Sequence, residues 1–317
     1  MSDQTGALTS KSGSSRSTSL SDAANERMSL RKSRSFYQRA WGTFRRDKVA
    51  VIALAISILL IAFSFGAPIV SMLTGNKYDF GNLRAQLLPP FENSQYPLGT
   101  DANGRDILTR LAYGGRVSMM VAGLSLIFTL VIGGAVGSIA GYFGGIVDNL
   151  LMRFVDVVIS IPGITLLLLL STVWKPGPVG LAFVIAAISW TGVSRLIRGE
   201  VLTLKHRDYI DAARVIGAND RRIIMGHIIP NVLSIVIVWA SLALPGLIIT
   251  EATLSYLGFG VGIPTPSWGN MLNEASQFYT RSWTYAFLPG FFIFVSALCF
   301  NLVGNGLRDA LDPRLNN

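Results

Sequence analysis

Charged residues are scarce in this sequence. They make up 14% of the 317 residues, whereas a soluble globular domain carries about 25%, and 50% of the residues are hydrophobic. Cysteine is nearly absent as well, because Cys299 stands alone, which excludes an internal disulfide framework. These shortages exclude an ordinary soluble domain and a disulfide-stabilised secreted domain, and they predict a membrane protein.

Motifs for catalysis and metal binding are missing too. The sequence contains no Gly-Lys dipeptide and hence no Walker A loop, so this chain cannot be a P-loop ATPase. It contains neither GxSxG nor HExxH. The two histidines, His206 and His227, lack the Cys or carboxylate spacing of a metal site, and polar surface residues are the commoner interpretation. We therefore predict no catalytic residue, no metal site and no cofactor bound by this chain.

Six apolar stretches approach the length of about 20 residues that a membrane-spanning helix needs. They are residues 49–73, 117–142, 150–173, 179–194, 232–250 and 283–303. The third stretch contains Pro162, which predicts a bend there. The pattern predicts an all-α membrane protein with six transmembrane helices.

The distribution of Lys and Arg predicts the orientation. With a cytoplasmic N-terminus, 20 of the 27 Lys and Arg residues fall on the inner side and 7 on the outer side. Cytoplasmic segments carry such an excess of positive charge, so we expect both termini to be cytoplasmic. The net charge of +9 comes largely from the N-terminal region and accompanies no aromatic-rich basic fold, so we expect no nucleic acid partner.

The same patterns divide the chain into five regions. Residues 1–35 are rich in Ser, Lys and Arg and predict a disordered basic cytoplasmic tail. Residues 36–48 mix aromatic and basic residues and predict an amphipathic segment on membrane lipid. Residues 49–116 are predicted to hold the first span and an extracytoplasmic loop. Residues 117–306 are predicted to form the transmembrane core, with a cytoplasmic loop at 195–231, and residues 307–317 a cytoplasmic C-terminal tail.

Small and acidic residues within the apolar stretches suggest further roles. Glycines at four-residue spacing predict a ridge for close helix packing, with helix flexibility as the alternative; they are Gly133, Gly137, Gly141 and Gly145. Acidic residues near membrane spans are functional candidates. Glu251 could face a translocation path or a binding protein, or have a structural role at the outer interface. Asp156 is expected to pair with Arg153 or another loop charge.

The loop at 207–231 is polar and lies between two apolar stretches. Helical spacing places four of its residues on one apolar stripe, namely Tyr209, Ala212, Ala213 and Ile216. Gly217 then predicts a left-handed residue that ends the helix. Asn219 or Asp220 could cap a second helix over 221–229, ending before Pro230. We predict a helix–turn–helix element that offers its stripe to a partner, although an ordinary amphipathic loop would share the short motif.

These residues resemble a known family. Asp211-Ala212-Ala213, Gly217 and Ile229-Pro230 are similar to the EAA loop of permease subunits in bacterial ABC importers, with Asp in place of Glu and with His227 and Ile229 as further departures. Other segments resemble the C-type permeases of oligopeptide, dipeptide and nickel importers; they are Leu98–Asp101 with Gly104–Asp106, 144–156, 254–258, 267–269 and 306–313. The resemblance covers most of residues 36–314.

The resemblance implies a multi-pass subunit of the bacterial cytoplasmic (inner) membrane with a type I ABC importer permease fold. Its implied partners are a homologous B-type permease, two ATP-binding subunits that hold ATP and Mg, an extracytoplasmic peptide-binding protein and the peptide. The loop would be the coupling helix, with ATPase coupling through Tyr209, Asp211, Ala212, Ala213, Ile216 and Gly217. Alternatives are an importer of nickel, glutathione or murein peptide, or a membrane scaffold that moves no solute.

Overall fold

The structure is a computed structural model in which residues 41–173 and 177–311 are described. The helices in chain order are α1 (Lys48–Phe65), α2 (Ala67–Thr74), α3 (Ile107–Phe143), α4 (Gly145–Ser160), α5 (Gly163–Val173), α6 (Pro178–Leu204), α7 (Asp208–Val215), α8 (Asp220–Ile223), α9 (Ile229–Tyr256), α10 (Trp268–Ala275) and α11 (Trp283–Leu311). In these ranges the only strand-like pairing is an isolated bridge between Thr100 and Asp106. The predicted all-helical class is confirmed for this part of the chain.

Helices α3 and α6 pack along a seam of glycines. A Cβ atom on Gly133 would lie 2.6 Å from the carbonyl oxygen of Trp190, and one on Gly141 would lie 2.9 Å from that of Arg198. Gly137, between them, is equally tight. No other residue allows backbones this close, so the seam requires glycine. Because the contact positions rise together along both helices, α3 and α6 run parallel.

Gly145 does not belong to this seam, so the predicted four-residue ridge is wrong in its last member. Helix α3 ends at Phe143, and Gly145 is the first residue of α4, with a φ of 55° and no other atom within 4 Å of the point where a Cβ atom would stand. The reason is that Gly144, at a φ of 67°, ends α3 and redirects the chain. The four-residue spacing therefore continues in the sequence but not on one helix face.

The helices define two ends of the bundle. We call the end where α3 and α6 finish the loop end, and the other the opposite end. Helix α1 is antiparallel to α3, since Ser64 contacts Gly115 near the start of α3. Gly306, late in α11, packs against Ala50, early in α1. The start of α1 and the end of α11 therefore both lie at the loop end.

Two of the predicted spans are broken. Residues 49–73 form α1 and α2, separated at Gly66, where a Cβ atom would lie 2.6 Å from the carbonyl oxygen of Ala62 and where Pro68 follows without an amide hydrogen. Residues 150–173 fall in α4 and α5, which meet at 86°. The bend predicted at Pro162 is confirmed. The described residues hold five helices that are long and apolar enough to cross a membrane, or six if the bent pair is one span.

The predicted end of a helix before Pro230 is wrong. Helix α8 continues through a π-helical stretch, Ile224–Ile228, into α9, so helical structure runs from Asp220 to Tyr256. A proline in a regular α-helix removes one hydrogen bond and clashes with the preceding turn. The wider turn before Pro230 shifts the hydrogen-bond register by one residue, which accommodates the ring.

Some predictions fall at the margins of the described residues. The tail predicted at 1–35 lies outside them, as do residues 36–40 of the predicted amphipathic segment and residues 312–317. Residues 41–44 are helical. Residues 307–311, predicted as part of a C-terminal tail, are the last residues of α11, where Ala310 is buried in a cluster with Phe44 and Ala50.

Candidate functional site

The loop of α7 and α8 is anchored to the bundle by three isoleucines. Ile210 on α7, Ile223 on α8 and Ile228 in the π-helical stretch are each 0% exposed. They pack in one cluster with Val201 and Leu204 at the end of α6. Burying side chains of this size contributes about 1.5–3 kcal/mol each, so the loop is held as part of the bundle and not as a separate arm.

Polar contacts fix the same loop to the end of α3. The Tyr142 hydroxyl donates to Asp220 Oδ1 at 2.6 Å, and the guanidinium of Arg214 lies 5.9 Å from the centre of the Tyr142 ring. Lys205 Nζ donates to the carbonyl oxygen of Gly141 at 3.0 Å. Asn219 caps α8 through its side-chain oxygen, which accepts from the amide of Arg222. Each end of the short loop is therefore tied to α3, α6 or its own backbone.

The outer face of α7 carries apolar side chains that the described part of the chain leaves largely uncovered, although the His227 ring lies 6.4 Å from that of Tyr209. Tyr209 is 43% exposed and Ile216 is 86% exposed, while Ala212 is exposed and Ala213 half-buried. Val215, which the predicted stripe omits, is 88% exposed. Large apolar side chains this exposed beside one another are typical of interaction surfaces. We call these five residues the α7 patch.

Two further predicted residues lie at the edge of the α7 patch. Asp211 pairs with Arg214 at 3.0 Å on the exposed surface. Gly217 has a φ of 88°, the left-handed conformation expected of it, and its amide donates to the carbonyl oxygen of Arg214. The turn conformation is confirmed, whereas the roles of these residues in coupling stay predictions.

A second group of functional candidates lies at the opposite end. Asp101, which is 0% exposed, accepts from Arg105 Nε at 2.6 Å and from Arg110. Glu274 on α10 accepts from Arg105 Nη2 at 2.7 Å, from Arg110 Nη1 at 2.8 Å and from the Tyr285 hydroxyl at 3.1 Å. We call these five residues the charge cluster. It joins the loop before α3 to α10 and α11.

The charge cluster is electrically balanced, since two carboxylates face two guanidinium groups. Burial opposes ionisation of Glu274, but the hydrogen bonds and charge of Arg110, with the charge of Arg105, outweigh it and hold the pKa of Glu274 below its usual range. Buried charges of this kind are stable only when fully paired. The cluster is therefore a rigid brace for the segment 99–110.

The sequence matches two described protein families over most of its length. Residues 133–317, which include the α7 patch, match the family described as binding-protein-dependent transport system inner membrane component. Residues 35–90 match the N-terminal TM domain of oligopeptide transport permease C. The chain belongs to the binding-protein-dependent transport permeases of the OppC/DppC type.

Individual relatives of this permease cover nearly the whole chain. The oligopeptide transport system permease protein OppC of Haemophilus influenzae is 41% identical over 290 residues, which are 91% of this chain and 92% of that relative. The dipeptide transport system permease protein DppC of Bacillus subtilis is 35% identical over 90% of this chain and 88% of that relative. The glutathione transport system permease protein GsiD of Pectobacterium atrosepticum is 38% identical over 89% and 92%.

In this permease, Glu251 does not line an open path through the chain as described. It is 0% exposed, and its Oε1 accepts from the Ser255 hydroxyl at 2.7 Å. The start of α10 lies beside it, since Gly269 packs directly against the neighbouring Ala252. This burial fits the structural role near the end of α9, and the contact with a translocation path or a binding protein stays a prediction.

Acidic residues near the loop end of the permease pair with α6. Asp156 accepts from Arg195 at 2.6 Å rather than from Arg153, and both side chains are about half exposed. Asp148 receives two hydrogen bonds from Arg198, at 2.5 and 2.6 Å. The sequence did not predict a role for Asp148, for the charge cluster or for Ile210. The LGTD and GRD motifs and the segment 144–156, which contains Asp148, gave a signal, but they did not identify the partners Glu274 and Arg198.

Proposed function

We propose that this permease is one membrane subunit of an ATP-driven importer that moves oligopeptides or dipeptides across the bacterial cytoplasmic membrane. The observation that carries the proposal is the α7 patch: an exposed apolar surface on a loop anchored in the bundle, in a chain of the binding-protein-dependent transport family. Such a surface supports docking of a soluble partner at the membrane. The proposed partners are two ATP-binding subunits, which would supply the ATPase site that the sequence lacks.

Coupling follows from the way in which the loop is held. A partner that displaces α7 would push on Ile210, and the buried cluster would pass that displacement to α6. Tyr142 and Lys205 would pass it to α3. Close-packed contacts of this kind transmit movement because they leave no space to absorb it. We infer that closure of the ATP-binding subunits alternates the bundle between inward-open and outward-open states in this way.

We further propose six spans with both termini in the cytoplasm. Helices α3 and α6 run parallel, so the chain between them has to return from the loop end to the opposite end, and the bent pair α4–α5 supplies that crossing. The Lys and Arg distribution, 20 against 7, supports a cytoplasmic loop end. The charge cluster would then face the outside, where a homologous B-type permease and a peptide-binding protein complete the assembly.

The solute is proposed from the relatives. OppC and DppC relatives are named for oligopeptides and dipeptides, whereas a relative of comparable identity is named for glutathione, itself a short peptide. Peptides are therefore the favoured solute class, and glutathione is the second candidate.

The first experiment is purification of the tagged chain from native membranes, followed by mass spectrometry of the proteins that accompany it. We expect a second permease, two proteins with Walker motifs and a peptide-binding protein, whose bound peptide would identify the solute. The same subunits reconstituted in liposomes should take up that peptide when ATP is supplied. Recovery of soluble partners without any uptake would favour the scaffold alternative.

The α7 patch is tested by Ala212→Arg. A long charged side chain in the middle of an apolar contact surface should prevent recovery of the ATP-binding subunits while leaving the second permease bound. Thr203→Arg is the matched control, because Thr203 is exposed near the same end of the bundle but lies on α6, outside the patch. Unchanged recovery of the ATP-binding subunits with Ala212→Arg would refute docking through this surface.

A further inference from the structure

An apolar groove lies beside the first described residues, at the loop end. It has a volume of about 300 Å³. Its walls are apolar side chains from three parts of the chain: Trp41 and Phe44 before α1, Leu54 on α1, and Val303, Leu307 and Leu311 on α11. The groove is open to the surface, so an apolar chain could enter it.

The floor of the groove is fixed by close packing. Phe44 is 5% exposed, stacks on Trp41 with ring centres 5.9 Å apart, and packs against Gly306, where a Cβ atom would lie 3.2 Å from the Phe44 ring. A glycine is needed here because Ala50 approaches from the same side. The groove is therefore a feature of the packed core, while Trp41 at its rim remains 55% exposed.

Positive charge collects at the polar rim of this groove. Arg45, Arg46 and Lys48 are all exposed and follow Phe44 within four residues. The guanidinium of Arg45 lies 5.9 Å from the centre of the Trp41 ring, which places one cation directly at the rim. Asp47 Oδ1 accepts from the amides of Val49 and Ala50, which holds this carboxylate at the start of α1. Within the described ranges, neither Arg46 nor Lys48 forms an ion pair.

We propose that this groove is a binding site for one anionic phospholipid, with an acyl chain against Leu54 and Leu307 and the phosphate near Arg45 and Arg46. The charge complementarity is what selects this occupant. In the two segments that line the groove, 41–54 and 303–311, the exposed cations Arg45, Arg46, Lys48 and Arg308 outnumber the exposed carboxylates Asp47 and Asp309. An apolar slot with this excess of positive charge fits a lipid that is apolar at one end and negatively charged at the other. Basic residues next to a membrane attract anionic headgroups. The bound lipid would tie the segment before α1 to the end of α11.

The test uses the full chain, purified with its accompanying subunits and placed in mixtures of dioleoylphosphatidylglycerol and dioleoylphosphatidylcholine. Native mass spectrometry counts each lipid retained. We expect one phosphatidylglycerol retained in preference to phosphatidylcholine. Arg45→Gln with Arg46→Gln should lower that preference at least tenfold, at about fivefold for each cation removed. Lys77→Gln with Arg84→Gln is the matched control, because it removes two exposed cations at the opposite end and should leave the preference unchanged.

A second variant tests the groove without changing the charge. Leu307→Trp should fill the slot and release the retained lipid while Arg45 and Arg46 remain. Equal retention of the two lipids by the unaltered chain would overturn the proposal. So would an equal loss of preference in the control pair, which would assign the effect to net charge alone. Retention that survives Leu307→Trp would place the lipid elsewhere.

Discussion

The charge cluster makes a quantitative prediction about the segment before α3. Glu274→Ala removes the acceptor of hydrogen bonds from Arg105 at 2.7 Å, from Arg110 at 2.8 Å and from Tyr285 at 3.1 Å. The side chains of Arg105 and Arg110 are 6% and 1% exposed, so neither guanidinium can turn to water in place. Asp101 alone would then face two positive charges.

Breaking a buried ion pair on one side costs about 3–5 kcal/mol, because it leaves an uncompensated buried charge. The loss falls on the segment that the cluster braces, so local opening there should become roughly two to nearly four orders of magnitude more frequent, at about 1.4 kcal/mol for each factor of ten. Hydrogen–deuterium exchange of the amides of Asn103 and Arg105 measures this directly, since both donate to Asp101 at 2.8 and 2.9 Å.

The control for Glu274→Ala is Asp156→Ala, which removes one partner of an ion pair of similar length, 2.6 Å, on an exposed surface. Exposed pairs contribute about 0–1 kcal/mol, so exchange near Arg195 should change by no more than about fivefold. If Glu274→Ala prevents assembly, Glu274→Gln keeps the size of the side chain and should give an intermediate effect. An increase of less than tenfold for Glu274→Ala would refute the view that the cluster braces the segment.

Three shorter predictions follow from other positions. The pKa of Glu274 is lowered in the folded state, so the stability that its charge contributes is present above the ordinary pKa of about 4.3 and is lost as the pH falls through the lower folded value. The difference in melting temperature between the unaltered chain and Glu274→Gln should therefore shrink below about pH 4. Gly137→Ala should cost about 1–3 kcal/mol, seen as a lower melting temperature, whereas Gly123→Ala, with open space around it, should not. Gly217→Val should leave membrane insertion intact but abolish uptake and stimulated ATP hydrolysis, since Val is strained at a φ of 88°; full transport in proteoliposomes would contradict the role of this turn.

Local patterns in the sequence predicted much of the architecture. The apolar stretches correspond to helices, and Gly217 adopts the left-handed conformation. These features depend on a few neighbouring residues, which is why the sequence reveals them. The same reasoning failed at Pro230, where one wider turn upstream removed the conflict that proline usually causes. It failed at Gly145 because a spacing rule assumes an unbroken helix.

Contacts between distant residues could not be predicted. Arg110 and Glu274 are 164 residues apart in the chain, and no periodicity links them. Helical spacing placed Tyr209 on the stripe and left Ile210 off it, but it did not show that Ile210 packs in a buried cluster with the end of α6. That packing brings together residues from α6, α7 and α8 that no local pattern links.

The positions of close packing and of breaks indicate where the permease can change shape. Carbonyl oxygens of α6 lie so close to the glycines of α3 that the two helices cannot slide without separating, so we expect them to move as one body. The α7 patch is tied to that body by Ile210, Ile223 and Tyr142. Movement is then left to the interruptions outside it, namely Gly66 and the 86° bend between α4 and α5. A partner acting on α7 would therefore turn the α3–α6 unit against helices that are already broken, which is where alternating access would have to originate.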